Sequence, residues 1–264
     1  MIATDLDGTL LRSDGTISPR TLAALSAAED AGITVVFVTG RPVRWMEDLF
    51  AHVGTHGIAI LSNGALIWDV AGDRPIAERP IDVATLVEAC ALLREAMPDL
   101  MFGFERLGGL SVEARFLGKL TGTFAAREGL LEEISDAPAL KLLARLHDGD
   151  PDELKQTALA AAGHLLEITG STKSPLLEMS ARGVTKATTL EVWCAELGLT
   201  AADVVAFGDM PNDLAMLGWA GRSYAMANAH PTVIAAATDL AASNDDDGVA
   251  HVIEEILDAY ARKR

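Results

Sequence analysis

The chain is short of cysteine, of basic residues and of long uncharged apolar runs, and each shortage excludes something. Its 264 residues contain two cysteines, Cys90 and Cys194. Two isolated thiols cannot build a disulfide framework, so the expectation is buried thiols in a reducing compartment. No stretch stays free of charge over the length that spans a bilayer, which implies a soluble globular protein without a membrane partner. The opening Met1-Ile2-Ala3-Thr4-Asp5 has no basic segment followed by an apolar core. No signal peptide is therefore expected, and the location expected is cytoplasmic. Lysine and arginine number 21 against 38 acidic residues, a formal net charge of -17. Such a surface repels nucleic acid and anionic membranes at long range. A phosphate site on this chain needs its own local cations, from side chains or a metal. The six histidines are scattered, and ordinary surface or core roles are expected for them. No internal repeat is visible. Asp245-Asp246-Asp247 reads as a solvated loop and not as a calcium site.

What is present is an alternation of strand and helix. The length suits one large domain or two linked ones. Ile2 to Asp5 is a short apolar run. Leu10 to Ile17 carries Ser13-Asp14-Gly15-Thr16, which predicts a small hairpin. Ser18-Pro19 predicts a helix start, with Gly32 as its stop. Ile33 to Val38 is continuous and β-branched, as a strand buried on both faces should be. A helix after Pro42 and a strand over Ile58 to Leu61 follow. Strands joined by helices imply a parallel sheet with right-handed crossovers. Near residue 82 the rhythm changes to an α+β pattern. It predicts helices over Val83 to Met97 and Asp152 to Ala162. Strands are predicted over Met101 to Glu105, Leu110 to Glu113, Leu140 to His147, Leu165 to Thr169 and Leu176 to Ser180. The α/β rhythm returns around Val184, with a helix from Lys186, strands over Val204 to Phe207 and Tyr224 to Ala227, and a last helix from Gly248.

Four polar clusters stand just after apolar strands: Asp5-Leu6-Asp7-Gly8-Thr9, Thr39-Gly40-Arg41, Ser62-Asn63-Gly64 and Gly208-Asp209-Met210-Pro211-Asn212-Asp213. In an open parallel sheet, ligands bind outside the carboxyl ends of the strands. The four can therefore build one site from distant sequence positions. Acids that cluster there need a cation, and a few hard oxygen ligands suit Mg2+. Thr39 and Gly40 offer a hydroxyl and an unobstructed N–H as an anion cradle. Lys186 supplies a point charge at a helix start.

These motifs resemble the haloacid dehalogenase-like (HAD) hydrolases, and among them the Cof-type phosphatases, over essentially the whole chain. The carriers are Asp5-Leu6-Asp7-Gly8-Thr9-Leu10-Leu11, Val38-Thr39-Gly40-Arg41, the lysine of Arg182-Gly183-Val184-Thr185-Lys186, and Gly208 to Asp213, in that order. Ser62-Asn63-Gly64-Ala65, Met226-Ala227-Asn228-Ala229 and Asn244 to Ala250 match the same subfamily. Two departures stand out: only four residues precede Asp5, and Ala227 replaces a frequent glycine.

The resemblance implies a Rossmann-like parallel-sheet core over 1–81 and 180–264, with an α+β cap inserted over 82–179. Hinges are implied near Glu78 to Asp82 and Ser180 to Gly183. It implies a phosphatase of small phosphorylated metabolites, such as sugar phosphates, acting through an aspartyl-phosphate. Asp5 is then the nucleophile, and Asp7 the acid that later becomes the base. Mg2+ would be held by the Asp5 carboxylate, the Asp7 carbonyl and Asp209, with Asp213 orienting a metal-bound water. Thr39, Gly40 and Lys186 would hold phosphoryl oxygens, with Asn63 and Asn212 beside phosphate or substrate. Arg41 would face substrate, brace the cap or form a structural ion pair. Cap side chains around Phe102, Arg106, Arg115 or Lys119 would read the substrate. A phosphomutase on the related fold, and a regulatory module that binds phosphate without turnover, are the competing expectations. The partner expected is the small metabolite, and the protein a monomer or homodimer.

Overall fold

The computed structural model describes residues 1–50, 57–117, 126–170 and 174–262. They form two compact units. One comprises Met1–Arg41, Trp45–Ala77 and Lys186–Arg264; the other comprises Pro42–Arg44 and Glu78–Thr185.

The first unit begins with β1 (Ile2–Thr4), α1 (Pro19–Asp30), β2 (Val35–Val38), α2 (Glu47–Phe50), β3 (Ile58–Leu61), β4 (Leu66–Asp69) and β5 (Arg74–Glu78). The second unit carries α3 (Val83–Ala96), β6 (Met101–Arg106), β7 (Gly109–Glu113), β8 (Ala126–Gly129), α4 (Leu131–Ile134), β9 (Lys141–Arg145), α5 (Pro151–Ala162), β10 (Leu166–Gly170) and β11 (Leu176–Ala181). The chain then returns to the first unit with α6 (Lys186–Glu196), β12 (Val205–Gly208), α7 (Leu214–Trp219), β13 (Arg222–Met226), α8 (Pro231–Ala236), β14 (Asp239–Ala241) and α9 (Gly248–Ala261).

Among the described residues the first unit holds an eight-stranded sheet in the order β14-β13-β12-β1-β2-β3-β4-β5. The pairings from β14 to β3 are parallel. The α/β expectation therefore holds. Ile2, Ala3, Val35 to Val38, Ala206 and Phe207 are all buried. Strands covered on both faces read as continuous apolar runs, which is why they were legible. Ser18 caps α1, its side chain accepting the Thr21 N–H, and Gly32 follows the helix with φ of 80°.

Several expectations need correction. Leu10 to Ile17 makes a turn but no hairpin ladder. Arg12 N–H bonds Thr16 O at 2.9 Å, while Arg12 pairs with Asp247 at 2.8 Å and the Ser13 N–H and hydroxyl reach Asp245 at 2.8 and 2.7 Å. The segment is pinned to another loop and not to itself. Asp245 and Asp247 are accordingly anchors of this turn and more than a solvated loop. The sheet is also not wholly parallel: β3 and β4 pair antiparallel. The strands over Leu66–Asp69 and Arg74–Glu78 extend that edge beyond the predicted ones. The helix expected after Pro42 starts as a 3₁₀ turn over Val43–Trp45 followed by the short α2.

The second unit is a six-stranded sheet, β10-β11-β9-β6-β7-β8, among the described residues. One face packs on α3 and α5 through Leu86, Leu93, Phe102, Phe104, Leu142 and Leu154. Phe102 is thus core and not a substrate reader. Arg106 donates to Pro138 O, Ile134 O and Ala137 O, so it braces a loop. Arg115 sits at a φ of 71°, and Lys119 lies outside the described residues. The sheet's other face carries the ion pairs Arg44–Glu105 at 2.7 Å and Lys141–Glu178 at 2.5 Å.

Leu142 is fully buried in the central strand β9. Leu142→Ala should lower the unfolding free energy by about 2–5 kcal/mol, since the cavity adds to lost transfer energy. Urea denaturation of the two proteins measures it.

Candidate active site

The four adjacent strands β12, β1, β2 and β3 end side by side, and their first following residues are Asp209, Asp5, Thr39 and Ser62. All the expected site residues belong to the first unit. At the centre lies Lys186, the first residue of α6, only 1% exposed. Its Nζ donates to Asp5 Oδ1 at 2.5 Å and to Asp213 Oδ1 at 2.6 Å. Asp213 is fully buried, and its Oδ2 accepts the N–H groups of Asp209 and Met210 at 3.1 and 3.0 Å. Both oxygens of Asp213 are therefore engaged within the protein. Asp209 accepts the Thr9 hydroxyl at 3.1 Å.

Gly8 has a φ of 80°, and a Cβ there would lie 2.3 Å from Asp209 Oδ2. Any larger residue would push the first acidic loop off Asp209. Gly208 plays the same part for Asp213, whose Cβ would lie 2.6 Å from an added methyl.

The neighbouring loops are joined by main-chain bonds. Asn63 N–H donates to Thr39 O and Ser62 N–H to Arg41 O, each at 3.0 Å. Thr39 Oγ1 accepts the Arg41 N–H at 3.1 Å. Asn212 Nδ2 approaches Asn63 Oδ1 at 3.4 Å. Ser62, Asn63 and Gly64 all have positive φ, at 53°, 57° and 105°. Two consecutive non-glycine residues in the left-handed region are a local strain, and strain of this kind collects at functional sites. Thr189, one turn after Lys186, donates to Gly64 O at 2.8 Å and holds this turn from below. Among the described residues the buried hydroxyl of Ser62 has no hydrogen-bond partner.

Asp7 stands apart from the central acids. Its carboxylate is 58% exposed and is gripped by Arg41 in a two-pronged pair at 2.8 and 2.5 Å. Of the expectations for Arg41, the ion pair is the one the structure displays.

Asp5, Asp209 and Asp213 each offer an oxygen, and these oxygens lie within 4.8 Å of one another. Three carboxylates against the single Lys186 ammonium (three minus one) leave a formal charge of minus two in a buried place. The electrostatic consequences follow. Burial pushes the Asp5 carboxyl up, opposed by Lys186 and reinforced by Asp213 and Asp209. Burial and then Asp213 push Asp209 up to about 6. Burial works against the Lys186 charge, yet Asp213 and Asp5 together hold its pKa above the ordinary lysine value. A divalent cation with oxygen donors fits a site of this composition.

The structure thus gathers Asp5, Asp209, Asp213 and Lys186 in one cluster, with Thr39, Arg41 and Asn63 on linked loops and Asn212 beside Asn63. Gly40 sits on the loop between Thr39 and Arg41. Sequence reasoning passed over Thr9 and Thr189. Thr9 closes the first motif, and Thr189 shares a helix face with Lys186 at i+3, which is the signal that would find it.

A sequence profile of haloacid dehalogenase-like hydrolases matches residues 2–253. The chain is 31% identical over 255 residues to the 5-amino-6-(5-phospho-D-ribitylamino)uracil phosphatase YcsE of Bacillus subtilis, covering 96% of this chain and 94% of that one. It is 31% identical to the HMP-PP phosphatase of an Enterobacter species, covering 98% and 96%. A solved structure from Streptococcus mutans superposes with a TM-score of 0.84 at 24% identity, covering 97% of this chain and 98% of that one.

Two tests address the site's electrostatics and strain. Because Asp209 holds its proton more tightly folded than unfolded, it contributes a loss of stability as pH rises from the usual carboxylate range through about 6. In metal-free protein, Asp209→Asn should remove that loss and be the more stable form at pH above 7, with the difference shrinking toward pH 4. Thermal melts across pH read it. Ser62→Gly relieves a left-handed serine and a buried orphan hydroxyl, and should stabilise the fold by about 1 kcal/mol in urea denaturation.

Proposed function

The chain belongs to the haloacid dehalogenase-like hydrolases and is a phosphoric monoester hydrolase of that family, and we propose that it is a magnesium-dependent phosphatase of small phosphorylated metabolites working through an aspartyl-phosphate on Asp5. The observation that carries this reading is the buried contact of Lys186 with Asp5 and Asp213 beside Asp209 at the carboxyl edge of one sheet. The named activities of the two curated relatives support the substrate class, and the first of them takes a phosphorylated ribityl compound. A sugar or polyol phosphate is the substrate we favour. The free, buried Cys90 and Cys194 agree with a cytoplasmic setting.

On this reading Asp5 attacks phosphorus in line. The bond from phosphorus to the ester oxygen breaks as the bond to Asp5 forms. Lys186 occupies Oδ1 of Asp5 and leaves Oδ2 for the attack. The proton for the departing oxygen comes from Asp7, which then takes a proton from water as the water displaces Asp5 from phosphorus. In the structure Asp7 is bound to Arg41. The carboxyl must leave that pair before it can carry a proton, and phosphoryl oxygens are the natural replacement partners for the guanidinium. Asp5, Asp209 and the carbonyl of Asp7 would hold the cation, and Asp213, already committed to Lys186 and two N–H groups, would stand behind them. Bound there, Mg2+ supplies the charge neutralisation that lets a dianionic phosphoryl group sit among acids. Thr39, Gly40, Lys186, Asn63 and Asn212 complete the cradle for phosphate and substrate. Residues 82–179 serve as the cap that selects the substrate.

The test is phosphate release from an aryl phosphate. Activity should require magnesium and disappear with chelator. Asp5→Asn should lower kcat by at least about 10³-fold, and Lys186→Met should do likewise. Turnover that persists in chelator, or that survives Asp5→Asn, would sink the proposal. With a hexose phosphate, inorganic phosphate should accumulate; an isomeric hexose phosphate in its place would point to the mutase reaction.

A further inference from the structure

Two asparagines outside the reaction scheme form a relay onto the first acidic loop. Asn228, two residues beyond the end of β13, donates from Nδ2 to the carbonyl of Gly8 at 2.8 Å. Its Oδ1 accepts the backbone N–H of Asn244 at 3.0 Å. Asn244 is buried and donates in turn from Nδ2 to Leu11 O at 2.8 Å. The two amides thus clamp both ends of the segment Gly8 to Leu11. The same loop after β13 also secures the other acidic loop, because the His230 N–H donates to Asp209 O at 2.8 Å.

The amide orientation is fixed by its partners. A backbone N–H only donates and a carbonyl only accepts, so oxygen must face Asn244 and nitrogen must face Gly8. No other side chain of this size supplies one acceptor and one donor in that arrangement. Aspartate would turn an oxygen toward the Gly8 carbonyl, and alanine would leave both ends open.

Gly8 is where such a clamp matters. It is the residue after Asp7, its φ is 80°, and a Cβ added there would lie 2.3 Å from Asp209 Oδ2. A glycine peptide held from one side only is free to rotate. Rotation there would re-aim Asp7 and shift Thr9, whose hydroxyl bonds Asp209. We infer that Asn228 is a positioning residue of the hydrolytic site, fixing the Gly8 peptide so that Asp7 reaches the leaving oxygen. This rests on the proposed role of Asp7 as the acid.

The experiment separates the two. Wild type, Asn228→Ala, Asn228→Asp and Asp7→Asn are assayed with magnesium on a simple alkyl phosphate and on dinitrophenyl phosphate, and kcat/KM is compared. That ratio reports the steps through departure of the leaving group. An alkoxide needs a proton to leave, whereas dinitrophenolate does not. Both Asn228 variants should lose about 10–100-fold on the alkyl ester and less than about threefold on the activated one. Asp7→Asn should show the same contrast more strongly. Melting curves confirm folding, and the near-isosteric Asn228→Asp serves if Asn228→Ala does not fold. Equal losses on both esters, or no loss on either, overturn the inference and leave Asn228 a loop clamp. If Asp7→Asn discriminates between the esters and the Asn228 variants do not, the inference alone falls. If Asp7→Asn shows no discrimination, the acid role fails and the inference fails with it.

Discussion

The ammonium of Lys186 lies buried between Asp5 and Asp213, and the arrangement of the first unit depends on that contact. A charge removed from water costs several kcal/mol unless it is closely paired. Lys186 also opens a helix, where the dipole opposes a cation. Only the two carboxylates make its position tolerable. Asp5 is 181 residues away and Asp213 is 27. Satisfying the lysine therefore requires β1, β12 and α6 to be assembled in one register. Asp213 is fixed in its turn by the N–H groups of Asp209 and Met210, so the cluster is oriented before any ligand arrives. Preorganised charge of this kind is what phosphoryl transfer uses.

The site is built against local preference in two places. Ser62 and Asn63 take left-handed conformations that glycine would take more cheaply, and Gly8 takes one that brings its backbone onto a carboxylate. Each is held by bonds from elsewhere: Thr189 to Gly64, Asn63 N–H to Thr39 O, Asn228 to Gly8. A loop that needs external clamps is a loop whose shape is set by the ligand it must meet and not by its own sequence. The strong hydrogen bonding of these turns thus carries more information about function than their composition does.

The central strands were legible because they are covered on both faces and read as unbroken apolar runs. The acids after them were legible because strand ends in a parallel sheet point one way. Other features were not legible for equally physical reasons. The segment Leu10 to Ile17 has hairpin chemistry, but its polar groups find better partners on Asp245 and Asp247, far along the chain. Arg74 to Glu78 is an exposed run at the sheet edge, without the apolar pattern that marks a buried strand. Phe102 and Arg106 looked alike as cap side chains, and only packing separates a core ring from a loop brace. Arg41 had several acceptable partners in sequence, and three-dimensional proximity to Asp7 displays one of them.

The local charge count gives the proposed metal requirement a second footing. Asp5, Asp7, Asp209 and Asp213 face Lys186 and Arg41, so four acids less two cations leave minus two before any substrate enters. A phosphate dianion would double that. Without added positive charge, the response open to the protein is protonation, and burial already pushes Asp5 and Asp209 in that direction. A protonated Asp5 is not a nucleophile. On the proposed reading, then, the positive charge that allows the phosphate to bind is also what keeps Asp5 ionised, because each alone would be defeated by the same surplus of acid. The acidic surface of the whole chain does not oppose this chemistry, since screening weakens it beyond about 8 Å at physiological salt. On that reading, the balance that decides catalysis is struck among these six side chains.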